Sequence, residues 1–296
     1  MNSKQTVAHI LLIGGVIFCL FACKKDPIGP EGIQGNQGIP GSFTIDHTTA
    51  NINAIPTQWI DSAKSKLRIA YGHTSHGSQL TDGMSGLVSW KGSLYKFNNG
   101  GTGGALDLHD YAMDGDCGYF PDWVNNTRSY LNTPANADVN VIIWSWCGQV
   151  SSQTEQSMID NYLAPMTQLE SDYPSVKFVY MTGHLDGSGS TGNLNKRNDQ
   201  IRAYCRTNKK VLFDFADIES YDPDGLINYM ALNANDNCDY DSSGVTRNWA
   251  QRWQKTHTLN VDWYNCSAAH SQPLNGNRKA YAAWWLWARL AGWPGY

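Results

Sequence analysis

Residues 139–184 read VNVIIWSWCGQVSSQTEQSMIDNYLAPMTQLESDYPSVKFVYMTGH. Val139 to Trp146 is a nearly continuous apolar run that ends at Cys147-Gly148, as a buried strand does. From Thr154 to Tyr173, Met158, Ile159, Tyr162, Met166 and Leu169 recur at helical spacing. Val176 to Met181 is a second apolar run, closed by Thr182-Gly183-His184. Strand, helix and strand in succession specify two parallel strands joined by a crossover helix. The same alternation extends in both directions. Leu67 to Tyr71 is a strand ending at Gly72, and Val211 to Phe215 is another. Asn193 to Asn208 and Arg278 to Leu290 read as helices. These elements predict an α/β fold, a three-layer α/β/α sandwich around a mainly parallel sheet.

The chain has 296 residues, enough for one large domain or two small ones. Only 16% are charged, against about 25% in typical chains, and 12% are aromatic, which excludes a disordered chain. The net charge of -4 excludes nucleic acid as a bulk partner, since phosphate binding needs a basic face. No interior run reaches 18 apolar residues, which excludes a polytopic membrane protein.

Residues 1–23 read MNSKQTVAHILLIGGVIFCLFAC, with an early Lys4 and an apolar run from Ile10 to Phe21, the layout of a signal peptide. Leu20-Phe21-Ala22-Cys23 resembles the lipobox of bacterial lipoproteins. That resemblance implies cleavage before Cys23, a lipid anchor on it, and an exported domain held to the cell envelope, at the periplasmic or surface face of the outer membrane. Residues 24–45 contain four Gly-X-Y triplets from Gly29 to Pro40. Four triplets support at most weak trimerisation, so the segment reads as an extended tether. The expected organisation is therefore signal 1–23, tether 24–45 and domain 46–296. Export agrees with the cysteines. Five lie beyond Cys23, so at most two disulfides form. Cys238 with Cys266 is the first candidate pair and Cys117 with Cys147 the second.

In a parallel sheet the site lies beyond the C-terminal ends of the strands, and there the sequence is polar. After the first strand comes His73-Thr74-Ser75-His76-Gly77. Cys147-Gly148-Gln149 follows the second, His184-Leu185-Asp186 the third and Asp217-Ile218-Glu219 the fourth. Cys266 to Gln272, with His270, precedes the last helix. Ser75 on a tight turn before a helix is placed as a nucleophile, with developing negative charge favoured by the helix N-terminus. His270 is placed as its base.

Over roughly residues 65–292 the chain resembles the SGNH (GDSL-like) hydrolase superfamily, mostly esterases and lipases, whose sheet is flavodoxin-like. Ser75 in His73-Thr74-Ser75 stands at the family's nucleophile. Gly115, in Asp114-Gly115-Asp116, stands at the second block, and Gln149 replaces the Asn of the third. His270 matches the last block's His, but Ser267 replaces the Asp three residues earlier. The resemblance implies an ester hydrolase without a cofactor. Ser75 would attack, His270 would take the proton, and the Ser75 N–H, Gly115 and Gln149 would hold the oxyanion. Asp217, Glu219 and Asp262 are candidates for the acid behind His270, with a Ser–His dyad as the alternative. His73, His76 and His184 are expected to line the pocket.

Other readings stand beside this one. Ser75 can be a helix-capping residue with no chemistry. The fold can serve as a non-catalytic glycan-binding lipoprotein. His73, His76, His184, Asp186 and His270 can form a metal centre that activates water. Asn235 to Gly244 is rich in oxygen ligands but reads as a polar turn rather than a calcium loop. Trp144, Trp146, Trp284, Trp285 and Trp287 are assigned to the core. Trp90, Trp123, Trp249, Trp253 and Trp263 are assigned to loops, where they can stack on sugar rings and point to a glycan ester as substrate.

Overall fold

The computed structural model describes residues 42–295. The signal peptide, the lipidation of Cys23 and most of the tether lie outside the described residues.

A seven-stranded parallel sheet forms the centre of the domain, in the order β1-β7-β6-β5-β2-β4-β3. Its strands are β1 (Phe43–Ile45), β2 (Arg68–Gly72), β3 (Phe97–Asn98), β4 (Leu106–His109), β5 (Val141–Trp144), β6 (Lys177–Met181) and β7 (Val211–Phe213). The principal helices are α1 (Thr57–Lys66), α2 (Ser75–Lys91), α3 (Asp122–Leu131), α4 (Glu155–Met158), α5 (Ala164–Asp172), α6 (Asn193–Thr207), α7 (Phe215–Ile218), α8 (Trp249–Thr256) and α9 (Pro273–Leu290). Strand order and the right-handed crossover rule place the helices. The steps β1 to β2 and β2 to β3 run one way across the sheet. The steps β4 to β5, β5 to β6 and β6 to β7 run the other way. Hence α1 and α2 cover one face, joined by α9, and α3, α4–α5 and α6 cover the other. The α/β sandwich is thus as expected.

Growth of the sheet reverses at β2, which has β4 on one side and β5 on the other. The crevice at such a reversal is where open α/β sheets bind ligands. Ser75 opens α2 just past the end of β2.

The differences from the sequence reading have local causes. Phe43–Ile45 pairs in register with Val211–Phe213, so the sheet claims the last three residues of the expected tether. The fourth strand stops at Phe213 because the Asp214 side chain accepts from Asp217 N and caps α7. β4 reads Leu-Asp-Leu-His and escapes an apolar search. Its Asp107 is buried and paired with Arg68 of β2 at 3.3 Å. The helix expected over Thr154–Tyr173 holds a π-helical turn at Ile159–Leu163 between α4 and α5. Pro165 cannot donate to Asn161 O, four residues back, and Trp123 Nε1 donates to that carbonyl at 3.1 Å instead. Trp123 and Trp249, assigned to loops, are fully buried. Trp285, assigned to the core, is half-buried.

The expected disulfides are absent among the described residues, where all five cysteines are free thiols. Cys238 Sγ faces Ser271 Oγ at 3.6 Å, Cys266 Sγ faces Pro273 O at 3.5 Å, and Cys117 Sγ faces Ser145 O at 3.1 Å. Asn235 to Gly244 belongs to a hairpin that runs on to Asn248, β8 (Asp239–Asp241) with β9 (Thr246–Asn248), rather than a calcium loop. The side chains of Asn235, Asp239 and Asp241 are consumed by bonds within it, to Asp239 N, Asn248 Nδ2 and Gly244 N.

The helix carrying Ser75 is fixed by a close crossing. A Cβ on Gly83 would lie 2.1 Å from Gly276 O of α9, so only glycine allows α2 and α9 to approach this closely.

Candidate active site

Ser75 is the first residue of α2. Thr74 occupies the capping position but makes no side-chain cap. Its Oγ1 donates instead to Asp116 Oδ2 at 3.1 Å. Among the described residues no side chain caps the N–H groups at the start of the helix, and they remain available to an anion.

His270 Nε2 lies 3.0 Å from Ser75 Oγ, within reach for proton transfer. His270 is exposed on the turn before α9, at φ +61. This left-handed conformation is uncommon for a non-glycine residue, although His is enriched there. Strain of this kind concentrates at functional sites.

Behind His270 stands a stack of imidazoles rather than a carboxylate. His76 lies against His270 with centroids 4.5 Å apart, and against His184 at 3.7 Å and 1°. His76 is held through both nitrogens. Nε2 meets Asp236 Oδ2 at 3.0 Å and Nδ1 meets Cys147 Sγ at 3.3 Å. Burial pushes the His76 pKa down, opposed by its bond to Asp236. Burial alone would raise the Asp236 carboxyl, but the bond from His76 and the neighbouring His184 hold it below the usual carboxylate range. His184 Nδ1 donates to Leu185 O at 2.9 Å, and its buried Nε2 has no partner among the described residues.

The three acids proposed for His270 are engaged elsewhere. Asp217 Oδ1 meets His47 Nδ1 at 2.5 Å. Glu219 is buried and paired with Lys279 at 2.6 Å. Asp262 is exposed and accepts from Thr258 N at 2.8 Å. None bonds His270. The acid beside the dyad is Asp236, whose carboxylate and a ring nitrogen of His270 lie within 4.8 Å of each other. No spacing rule links it to His270, because it arrives from the hairpin region read as a turn.

His73 does not join the stack. Its Nδ1 donates to Thr74 O at 2.9 Å and its Nε2 meets Asp110 Oδ1 at 2.8 Å, so it braces the Ser75 turn from behind. Asp186 is likewise absent from the cluster, accepting from Ser188 N at 2.9 Å.

On the oxyanion side, buried Asp116 joins the loops after β2, β4 and β5. Besides Thr74 it accepts from Gly118 N at 2.9 Å and Gln149 Nε2 at 3.3 Å. Gln149 thus spends one of its two amide hydrogens on Asp116 and keeps the other. Gly118 gives it room, since a Cβ there would lie 2.3 Å from Gln149 Cδ. Gly115, next to Asp116, turns at φ +87. Ser75, His270, His76 and His184 lie together, while Gln149 is linked to the site through Asp116.

A separate cleft of about 580 Å³ is lined by Trp90, Trp253, Tyr281, Arg278, Asp222 and Asp262, among others, but not by Ser75 or His270.

No protein-family model matches the chain, and no curated protein matches it. Among solved structures, a Bacteroides fragilis protein described as a "putative acylhydrolase" matches with a TM-score of 0.36 and 12% identity. The match covers 69% of this chain and 90% of that one. At that score the likeness carries no argument about site or substrate.

Proposed function

We propose that the chain is a serine hydrolase of SGNH type that cleaves acyl esters, removing acetyl or similar groups from a carbohydrate. The observation that carries the reading is the 3.0 Å approach of His270 Nε2 to Ser75 Oγ at the uncapped start of α2. Ser75 Oγ attacks the acyl carbon as His270 Nε2 takes its proton. The tetrahedral oxyanion is held by the Ser75 N–H, with Gly115 and Gln149 as the further donors. His270 then protonates the leaving alcohol, and water repeats the sequence in reverse to free the acid. The Asp236 carboxylate favours the imidazolium that forms on His270. The carbohydrate part of the reading rests on the aromatic-rich composition of the chain and not on the cleft beside Trp90 and Trp253, which neither Ser75 nor His270 lines.

A fluorophosphonate probe tests the nucleophile without any choice of substrate. It should label the chain once, and peptide mapping should place the adduct on Ser75. Labelling elsewhere, or none, refutes the reading.

We also propose anchoring to the cell envelope through Cys23, on the Leu20-Phe21-Ala22-Cys23 string. Metabolic labelling with palmitate should mark the wild-type chain and fail in Cys23→Ser. Equal labelling of both would refute the anchor.

A further inference from the structure

We propose that His76, Asp236 and His270 also form a binding site for a divalent transition-metal ion, Zn2+ by ligand type, whose occupancy draws His270 away from Ser75 and switches the hydrolase off. The switch rests on the proposed hydrolase; the metal site does not.

Each of the three residues offers one ligand atom, and those atoms all lie within 4.8 Å of one another. In tetrahedral zinc with bonds of about 2.0–2.2 Å, ligand atoms stand roughly 3.3 Å apart. His76 Nε2 and Asp236 Oδ2, at 3.0 Å, are already near that spacing. Only His270 must move, and it is exposed on a turn. Two imidazoles and one carboxylate suit zinc and leave a fourth position open.

The outer contacts are those a metal site needs. His76 Nδ1 is fixed by Cys147 Sγ at 3.3 Å, which orients the ring and leaves Nε2 for the ion. Asp236 Oδ1 accepts from Asn237 N at 2.9 Å. Among the described residues no Lys or Arg forms an ion pair with Asp236, so no fixed cation competes for the site. An independent observation comes from His184. It is 9% exposed, stacks on His76, and carries a buried Nε2 with no partner. Its Nδ1–H is already committed to Leu185 O, so Nε2 is an acceptor lacking a donor. A metal-bound water is such a donor.

The two functions exclude each other. His270 serves Ser75 as base only while its lone pair is free, and a nitrogen on zinc takes no proton. Zinc is therefore an inhibitor here, unlike in a metallohydrolase, where it activates the water.

The test uses the full-length Ser75→Ala chain, stripped with EDTA and desalted. This variant cannot perform the acyl chemistry but keeps all three ligands. Titration with Co2+ should give the visible d–d absorption of tetrahedral cobalt at one ion per chain, and Zn2+ should displace it. His76→Ala and Asp236→Ala should weaken Co2+ binding by more than the roughly 10–100-fold that losing an outer contact costs. Asp236→Asn replaces the alanine variant if that one does not fold. His47→Ala should keep the band, which excludes the second cluster of Asp46, His47 and Asp217. In the wild type, Zn2+ should inhibit p-nitrophenyl acetate hydrolysis at the concentration that displaces Co2+, and EDTA should restore it. Absence of the band, or a band that survives His76→Ala, overturns the site. Zinc binding without inhibition, or loss of activity in EDTA, overturns the switch. A cobalt band in a chain whose wild type has no esterase activity supports the site and refutes the hydrolase.

Discussion

Ser75→Ala is expected to lower kcat/KM for p-nitrophenyl acetate by about 10⁴–10⁶-fold, since nucleophile and base act as one unit. His270→Ala should fall by a similar factor, and the double variant should be little worse than either. Folding should be nearly untouched. The Ser75 hydroxyl bonds only His270 among the described residues, and the neighbouring Thr74, not Ser75, occupies the capping position. A change at such a site costs within about 0.5 kcal/mol. The acids separate by magnitude. Asp217→Asn and Asp262→Asn should leave kcat near wild type, because neither carboxylate reaches His270. A triad acid bonded to its His is worth about 10⁴-fold. Asp236 makes no such bond. A unit charge about 4.8 Å away is worth ~3.5 kcal/mol at an effective dielectric of ~20 and ~0.9 kcal/mol in bulk water. His270 is exposed, so the lower value governs, and Asp236→Asn should cost about fourfold. Full activity in Ser75→Ala would refute the mechanism. A loss near 10⁴-fold in Asp236→Asn would show that Asp236 bonds His270 directly during turnover.

The central strands and the placement of Ser75 and His270 were legible because each follows from a local rule. β5 and β6 are buried on both faces and therefore read as unbroken apolar runs. The end of β2 and the start of α2 are marked by Gly72 and the polar residues after it. The outer strands were not legible. β3 has two residues and β1 and β4 have three and four, and their pairing partners, not their own sequences, hold them in the sheet. The environment of His270 was hidden for a similar reason. Asp236, Cys147 and His184 come from three separate loops, and only the packing of the imidazoles onto one another brings them together. The disulfide expectation failed because loop composition does not constrain the distance between two sulfurs.

Glu219 lay beyond a strand end and so entered the candidate acids, yet its expected effect is on stability. Glu219→Ala should cost about 3–5 kcal/mol of folding stability, the range for breaking a buried ion pair by removing one partner. In a domain of this size each kcal/mol is worth roughly 2–4 °C, so the melting temperature should drop by roughly 10 °C. Lys279 is fully buried, with Nζ 2.6 Å from Glu219 Oε2, 2.5 Å from Gln79 Oε1 and 3.6 Å over the Phe215 ring. Glu219 also accepts from Leu185 N and, at 3.4 Å, from Asn275 Nδ2. Removing it leaves an uncompensated ammonium in the core. Burial already pulls the Lys279 pKa down, and Glu219 is the main force opposing this. Without Glu219 the folded chain holds that proton more weakly than the unfolded chain does. Stability of the variant should then rise with pH until the ordinary lysine range near 10.4 is passed. Glu219→Ala with Lys279→Met should recover most of the loss, because replacing a buried pair by apolar groups is often neutral. Thermal unfolding of the wild type and both variants between pH 7 and pH 10 measures all of this. The opposite result, an unchanged melting temperature with a large fall in kcat, would make Glu219 the missing acid of the site.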